Sequence, residues 1–183
     1  MSVIAVSYDA SAPPTGRYTV AADTAVFFQG GLRARHREKI RRFTPKHAPP
    51  FLFAYSGSVV YDRFLDVMES YSLQETTVRE CLRVLLIEME EWARSQGHGD
   101  VNDGIWMAPS FTAVAVGGGD IFELSSGSLY TVRGRSYTAI GIGQELALGA
   151  LAHGADAVQA VKIACEHHTQ CHIFEDGPQV EVI

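Results

Sequence analysis

Residues 1–23 read MSVIAVSYDASAPPTGRYTVAAD, and the architecture unfolds from them. Val3-Ile4-Ala5-Val6 is a short apolar run without helical period, so it predicts a buried strand. Asp9 to Gly16, with Pro13-Pro14 inside, carries the turn residues that end it. A second apolar run, Tyr18-Thr19-Val20-Ala21-Ala22, stops at Asp23. Two strands around a turn-rich loop predict an antiparallel hairpin, longer in its loop than a tight turn requires.

Further along, Ala25 to Gln29 reads as extended and Gly30-Gly31 breaks it. From Arg33 onward every second residue is basic: Arg33, Arg35, Arg37, Lys39 and Arg41. One strand over 33–41 would place all five on one face. Phe51-Leu52-Phe53-Ala54-Tyr55 predicts another buried strand, ended by Ser56-Gly57-Ser58. The period then turns helical, with Val60, Phe64, Val67, Met68 and Tyr71 on one stripe. Thr77-Val78-Arg79-Glu80 is a capping-box pattern. Val78, Leu82, Leu85, Leu86, Met89 and Ala93 follow it as one apolar face. Residues 97–109 predict a long loop. Strands are expected at Phe111–Val116, Asp120–Leu124, Leu129–Val132 and Tyr137–Ile140. Helices are expected at Gln144–His153 and Asp156–His168, with Asp156 as N-cap. Cys171–Phe174 and Gln179–Ile183 would be closing strands.

The order is strands, two helices, strands, two helices, strands. Parallel sheets need single crossover helices between strands, and this order lacks them, so antiparallel sheets are expected. Two helix pairs need two apolar faces to cover. An α+β arrangement of two stacked sheets, with a helix pair on each outer face, meets that count.

The 183 residues set one domain, 1–183, against a typical ~150 per domain. Hydrophobic residues are 46% and charged residues 20%, as in ordinary globular proteins, and the net charge of −6 argues against a polyanion binder. No apolar run reaches the ~18 residues that span a bilayer, and the first residues lack the basic start of a signal peptide. Cys81, Cys165 and Cys171 are odd in number and form no C-x-x-C pair, so a disulfide framework is not expected. A reducing cytoplasm is the expected setting, with neither membrane nor nucleic acid as partner.

Three residues bear on chemistry. Ser2 follows a methionine of the kind aminopeptidases remove, Asp23 ends the second strand, and Lys39 comes sixteen residues later. Together with Ala21-Ala22-Asp23, Lys39-Ile40-Arg41-Arg42, Ala54 to Ser58 leading into a helix, and Ala139-Ile140-Gly141 before another, they resemble the proteasome-type N-terminal nucleophile (Ntn) hydrolases. The likeness is above all to HslV-like and related bacterial proteasome-homologue subunits, and it covers nearly the whole chain. It implies a four-layer αββα sandwich, which agrees with the layer count above.

The resemblance also implies a mechanism. A serine hydroxyl needs a base, and an N-terminal serine carries one in its α-amine, whose pKa is about 7.7–8.0. Lys39 as an ammonium would lower the hydroxyl and amine pKa values, and Asp23 would hold it charged and aimed. Gly57 would offer its backbone N–H to the oxyanion. Glu166 aligns loosely with an auxiliary acid. No cofactor is implied. The implied partners are other copies in double rings of twelve or fourteen subunits, peptide or unfolded-protein substrates, and an ATP-dependent unfoldase. Departures from the family are Ser2 where threonine is usual, the longer first loop, and Ile142 where an auxiliary serine is usual.

Other readings of the same residues stay open. Ser2 could merely begin a strand, Asp23 could end one, and Lys39 could sit on a solvated basic face. The same fold could host a non-peptidase amidase, or a catalytically silent ring protein with a structural or binding role. His167, His168 and His172, beside Cys171, invite a metal reading, since His168 and His172 are four apart. No second cluster supplies further ligands, so no metal is expected and a helix end with His favourable to the dipole is the competing account. Gly117-Gly118-Gly119 lies between two strands and reads as a turn, not a phosphate cradle.

Overall fold

The computed structural model describes residues 2–12, 16–27, 33–35, 38–58, 60–133 and 135–183, apart from 70–72. Its strands are β1 (Val3–Asp9), β2 (Arg17–Ala22), β3 (Ala25–Phe27), β4 (Arg33–Arg35), β5 (Ile40–Phe43), β6 (Phe51–Gly57), β7 (Asp100–Asn102), β8 (Ile105–Met107), β9 (Phe111–Gly117), β10 (Asp120–Ser125), β11 (Ser128–Thr131), β12 (Tyr137–Gly141) and β13 (Gln179–Val182). The helices are α1 (Tyr61–Glu69), α2 (Val78–Ser95), α3 (Gln144–Ala152) and α4 (Ala157–His167). One sheet has the order β12-β1-β2-β13 and the other β11-β10-β9-β6-β5. All their pairings are antiparallel. The N-terminal hairpin forms as expected, from Ile4 opposite Ala22 to Asp9 opposite Arg17.

Alternation along the strands explains the layers. On β1, Ile4 and Val6 face the space between the sheets, where Leu52, Ala54, Val114, Val116 and Ile140 meet them. Val3 and Ala5 point the other way, onto α3 and α4 with Ala147, Leu151, Ala160 and Ala164. On β6 the same period sends Phe51, Phe53 and Tyr55 outward onto α1 and α2. A strand segment buried on both faces must be apolar throughout, and residues 3–6 of β1 and 51–55 of β6 are. Three apolar layers separate four structural layers, which is the expected αββα sandwich. Alanines dominate the face under α3 and α4, while aromatics fill the space under α1 and α2.

The second helix follows its sequence pattern closely. Val78, Leu82, Leu85, Leu86, Met89 and Ala93 are all buried, as is Cys81. Thr77 is the N-cap and accepts the Glu80 N–H at 3.2 Å, closing the capping box. In α1, Phe64 and Met68 are buried as expected, but Val67 is exposed and Leu65 takes a core place. Tyr71 lies outside the described residues.

Three expectations are corrected. Residues 33–41 are not one strand: β4 pairs with β3 and ends at Arg35, and β5 begins at Ile40 in a different sheet. Arg37 lies outside the described residues. Neither Lys39 nor Arg41 is on a solvated face, since both are buried. Arg41 is neutralised by Glu38 and by Asp66 of α1, each at 2.7 Å, so it fastens β5 to the helix layer. Second, residues 97–109 contain the β7–β8 hairpin. It turns at Asp103-Gly104, both with positive φ (50° and 78°), and the Trp106 ring lies under the Arg94 guanidinium. Third, Cys171–Phe174 is not a strand. Its backbone is engaged by residues at the end of β2, described below. Among the described residues no helix is long and apolar enough to cross a membrane.

Candidate active site

The β1–β2 hairpin places its start and its end side by side. Ser2 precedes β1 and Asp23 follows β2, so pairing of the two strands brings them together. The Val3 N–H donates to Asp23 Oδ1 at 3.0 Å and the Asp23 N–H donates to the Val3 carbonyl at 3.0 Å. Lys39 arrives from the other sheet, in the bend ahead of β5. Its Nζ donates to Ser2 Oγ at 2.7 Å, to Asp23 Oδ1 at 2.8 Å and to the Ala25 carbonyl at 2.6 Å. Ser2, Asp23 and Lys39 are 5%, 0% and 3% exposed, so the cluster is closed to bulk water.

An ammonium has three N–H donors and no acceptor. Lys39 has three acceptors at hydrogen-bond distance, which is full satisfaction of the charged form. Burial works against both charges. It pushes the Lys39 ammonium below the usual lysine value, and Asp23 pulls it back. It pushes the Asp23 carboxyl above the usual carboxylate range, and Lys39 pulls it back. Each group thus depends on the other for its charge.

The neighbouring backbone completes the setting. The Ile142 N–H donates to the Ser2 carbonyl at 2.7 Å. Gly141 has φ +92°, and a Cβ there would lie 2.1 Å from the Ser2 carbonyl oxygen, so only glycine fits. The same absent Cβ would be 3.3 Å from Ser56 Oγ, which places the end of β6 against Ser2. Gly57, the next residue, ends β6 at φ +151°, and a Cβ there would meet the Ser110 carbonyl at 2.6 Å. Ile142 thus serves Ser2 through its amide, and its side chain is exposed.

Two expected participants stand apart. Glu166 is exposed in the last turn of α4, and no bond joins it to Ser2, Asp23 or Lys39 among the described residues. The His168 and His172 pair shares no helical face, because α4 ends at His167 and His168 is an extended C-cap. His172 instead contributes backbone: its N–H faces Asp23 Oδ2 at 3.5 Å, and its carbonyl accepts the Thr24 N–H at 3.1 Å. Thr24 Oγ1 in turn accepts the Phe174 N–H at 3.0 Å.

Sequence reasoning missed Gln179, whose carboxamide acts as a substitute strand partner for β5. Its Oε1 accepts the N–H of Lys39 at 2.7 Å and of Ile40 at 3.1 Å, and its Nε2 donates to the Ile40 carbonyl at 3.1 Å. A glutamine in an edge strand carries no signal of such a role. Gln179→Ala should cost about 1–2 kcal/mol in urea unfolding through these lost bonds. It should also loosen the Lys39 backbone, seen as faster amide hydrogen exchange at residues 39 and 40. Unchanged exchange there would show that β5 holds itself.

No protein-family model and no curated protein matches the sequence. Solved structures do match. Thiobacillus denitrificans BPH aligns over 100% of this chain and 97% of its own, with a TM-score of 0.73 and 19% identity. Another structure of that protein is a complex with epoxomicin. HslV from Trypanosoma brucei aligns over 98% of each chain, with a TM-score of 0.62 and 17% identity. Anbu from Pseudomonas aeruginosa, solved as a helical assembly, aligns over 100% of this chain and 80% of its own, with a TM-score of 0.65 and 10% identity. The fold is therefore that of the proteasome-like Ntn hydrolases. Within that class its structural neighbours are HslV-like and Anbu subunits.

Proposed function

We propose that the chain is an N-terminal-nucleophile amide hydrolase, a peptidase subunit of a self-assembling complex, acting through Ser2. The observation that carries this is the buried contact of Lys39 Nζ with both Ser2 Oγ and Asp23 Oδ1. A lysine on a solvated face makes no such pair of bonds.

Cleavage of the peptide bond before Ser2 frees the α-amine. That amine takes the hydroxyl proton as Ser2 Oγ attacks the substrate carbonyl carbon. Lys39 lowers the cost of the developing alkoxide by its charge at 2.7 Å, and Asp23 keeps that charge in place. The Gly57 N–H faces the carbonyl oxygen as it becomes an oxyanion. The α-ammonium then gives its proton to the leaving amine, and the C–N bond breaks to leave an ester on Ser2. Water, deprotonated by the same amine, hydrolyses that ester. Glu166 is exposed and lies outside this sequence of steps.

Self-association into closed rings of twelve or fourteen subunits belongs to the same proposal, with the cytoplasm as its setting, unfolded polypeptide as substrate and an ATP-dependent unfoldase as a partner. The helical assembly of the Pseudomonas Anbu neighbour supports self-association, as do Ile105 and Met107, exposed on one face of the β7–β8 hairpin. A surface of that kind is usually covered by a partner.

The test is chemical. Purified protein should have an intact mass that begins at Ser2, and epoxomicin should add one equivalent to that N-terminus. A folded oligomer whose mass retains the preceding residue, and which takes up no probe, would overturn the hydrolase reading in favour of a silent assembly. Sedimentation should show a large oligomer. A stable monomer of 20.0 kDa at every salt concentration would overturn the ring.

A further inference from the structure

Helix α2 covers the aromatic layer with one side and turns the other to solvent. Val78, Leu82, Leu85, Leu86, Met89 and Ala93 are buried, and the opposite stripe carries Glu80, Arg83, Ile87, Glu91 and Arg94, all exposed. Ile87 is 57% exposed at the centre of that stripe. The charges around it run in a set order. Glu80 and Arg83 stand seven and four residues before it, Glu91 and Arg94 four and seven residues after it. Reversing the helix about Ile87 therefore exchanges each acid for a base. Neither Arg83 nor Glu91 joins an ion pair among the described residues. Beside the first turn lies a crevice of about 470 Å³, lined by Glu75, Thr76, Glu80, Arg83 and Val84. Glu75, on its wall, has a buried Oε2 with no hydrogen-bond partner among the described residues.

We propose that this face is a self-docking surface: a second copy of the chain packs its own α2 antiparallel on it, about a two-fold axis through Ile87. One Ile87 then meets the other, each Arg83 faces the second copy's Glu91, and each Glu80 faces the second copy's Arg94. The contact is isologous, so both charge pairs occur twice. Arg83, Ile87 and Glu91 are four apart, which makes them a ridge of the kind that interdigitates with its like on a crossing helix. Arg94 suits the acidic crevice. Its guanidinium face lies on the Trp106 ring, which leaves the N–H edges to donate to carboxylates of the second copy. A parallel pairing in register is disfavoured, because it sets Glu80 on Glu80 and Arg83 on Arg83.

Exposed ion pairs are individually weak, and the contact gains by repetition where copies are already joined. A ring closes by head-to-tail contacts, whereas this one pairs copies about a two-fold axis, so it is a second and separate surface. It rests on the self-association in the proposed function and not on Ser2 as a nucleophile.

The position of Ile87 on the axis makes the test direct. Ile87→Cys protein, oxidised gently with copper phenanthroline, should give a disulfide-linked pair at twice the 20.0 kDa chain on a non-reducing gel, and dithiothreitol should separate it. Wild type, with its three cysteines, is the background. Ser95→Cys, eight residues off the axis on the same helix, should not link, since two antiparallel copies hold those positions about 24 Å apart at 1.5 Å per residue. In the Ile87→Cys chain, Arg83→Glu sets two like charges against Glu91 and should cut linking about tenfold, as should Glu91→Arg. The two changes together restore opposite charge and should restore linking. Equal linking of Ile87→Cys and Ser95→Cys would overturn the proposal, and so would a double reversal that links no better than either single one. A large oligomer whose Ile87→Cys form stays unlinked would overturn this contact and leave the ring standing. A linked pair in protein whose Ser2 takes no probe would support the contact while the hydrolase reading fails.

Discussion

Lys39→Ala is expected to slow labelling of Ser2 by an electrophilic peptide probe by at least ~10²-fold, the scale on which a single preorganised donor stabilises developing charge. The ammonium lies 2.7 Å from Ser2 Oγ in a site closed to water, where a charge acts with little screening. Alanine removes the charge and the donor together. Lys39→Arg separates the two. It keeps the charge, but a planar guanidinium cannot place one nitrogen among Ser2 Oγ, Asp23 Oδ1 and the Ala25 carbonyl as a compact ammonium does. Both variants should therefore be inactive. Lys162→Ala is the control, since that lysine is exposed on α4 and changes net charge equally. The measure is the rate of adduct formation on the N-terminal peptide by mass spectrometry. Labelling of Lys39→Ala at the wild-type rate would show that the contact of Lys39 with Ser2 is structural only.

Why the layers could be read is plain from β1 and β6. Val3-Ile4-Ala5-Val6 and Phe51-Leu52-Phe53-Ala54-Tyr55 are apolar at every position because each strand is covered on both faces. A chain with such strands and two helix pairs has few ways to bury them all. Residues 33–41 were harder because alternation reports which residues share a face, not whether the strand continues. Alternation alone makes Lys39 one more cation of a basic face, and only its order after Ser2 and Asp23 singles it out. Its burial depends on Asp23 and on a glutamine 140 positions away, and neither is visible locally. Arg41 escapes the surface for a similar reason, with Glu38 and Asp66 supplying its counter-charge. The hairpin within 97–109 was legible in principle, since Asn102-Asp103-Gly104 is a turn signal between short runs. Cys171–Phe174 has strand-like residues, yet its amides and carbonyls go to Asp23 and Thr24. Of the site, the side chains could be singled out from their order along the chain. The amides of Val3, Ile142 and His172 and the Ala25 carbonyl could not, because backbone groups leave no mark in a sequence.

The buried pair should also reveal itself through opposite pH trends in its two single variants. Asp23→Ala leaves the Lys39 ammonium buried without an anion, and the Val3 N–H without its acceptor. Breaking a buried pair from one side costs about 3–5 kcal/mol. Burial alone then sets the Lys39 pKa, further below the unfolded value of about 10.4. Between those two values the unfolded chain binds more protons than the folded one, so stability rises with pH. The defect of Asp23→Ala should accordingly shrink toward alkaline pH. Lys39→Ala leaves the opposite problem. Without the ammonium that pulls it down, the Asp23 carboxyl rises further above its unfolded value of about 3.9. The folded chain now binds more protons in that window. Stability is full below the unfolded value and is lost as pH rises through the folded one. That defect should grow toward neutral pH and be smallest in acid. Urea unfolding of both variants and wild type at about pH 5, 7 and 9 reads the signs. The double variant Asp23→Ala/Lys39→Ala, which has no unpaired charge, should follow the wild-type profile more closely than either single change. Parallel trends in the two single variants would mean that Asp23 and Lys39 are not an ionised pair in the folded chain. The charge on which the Ser2 chemistry depends would then be missing.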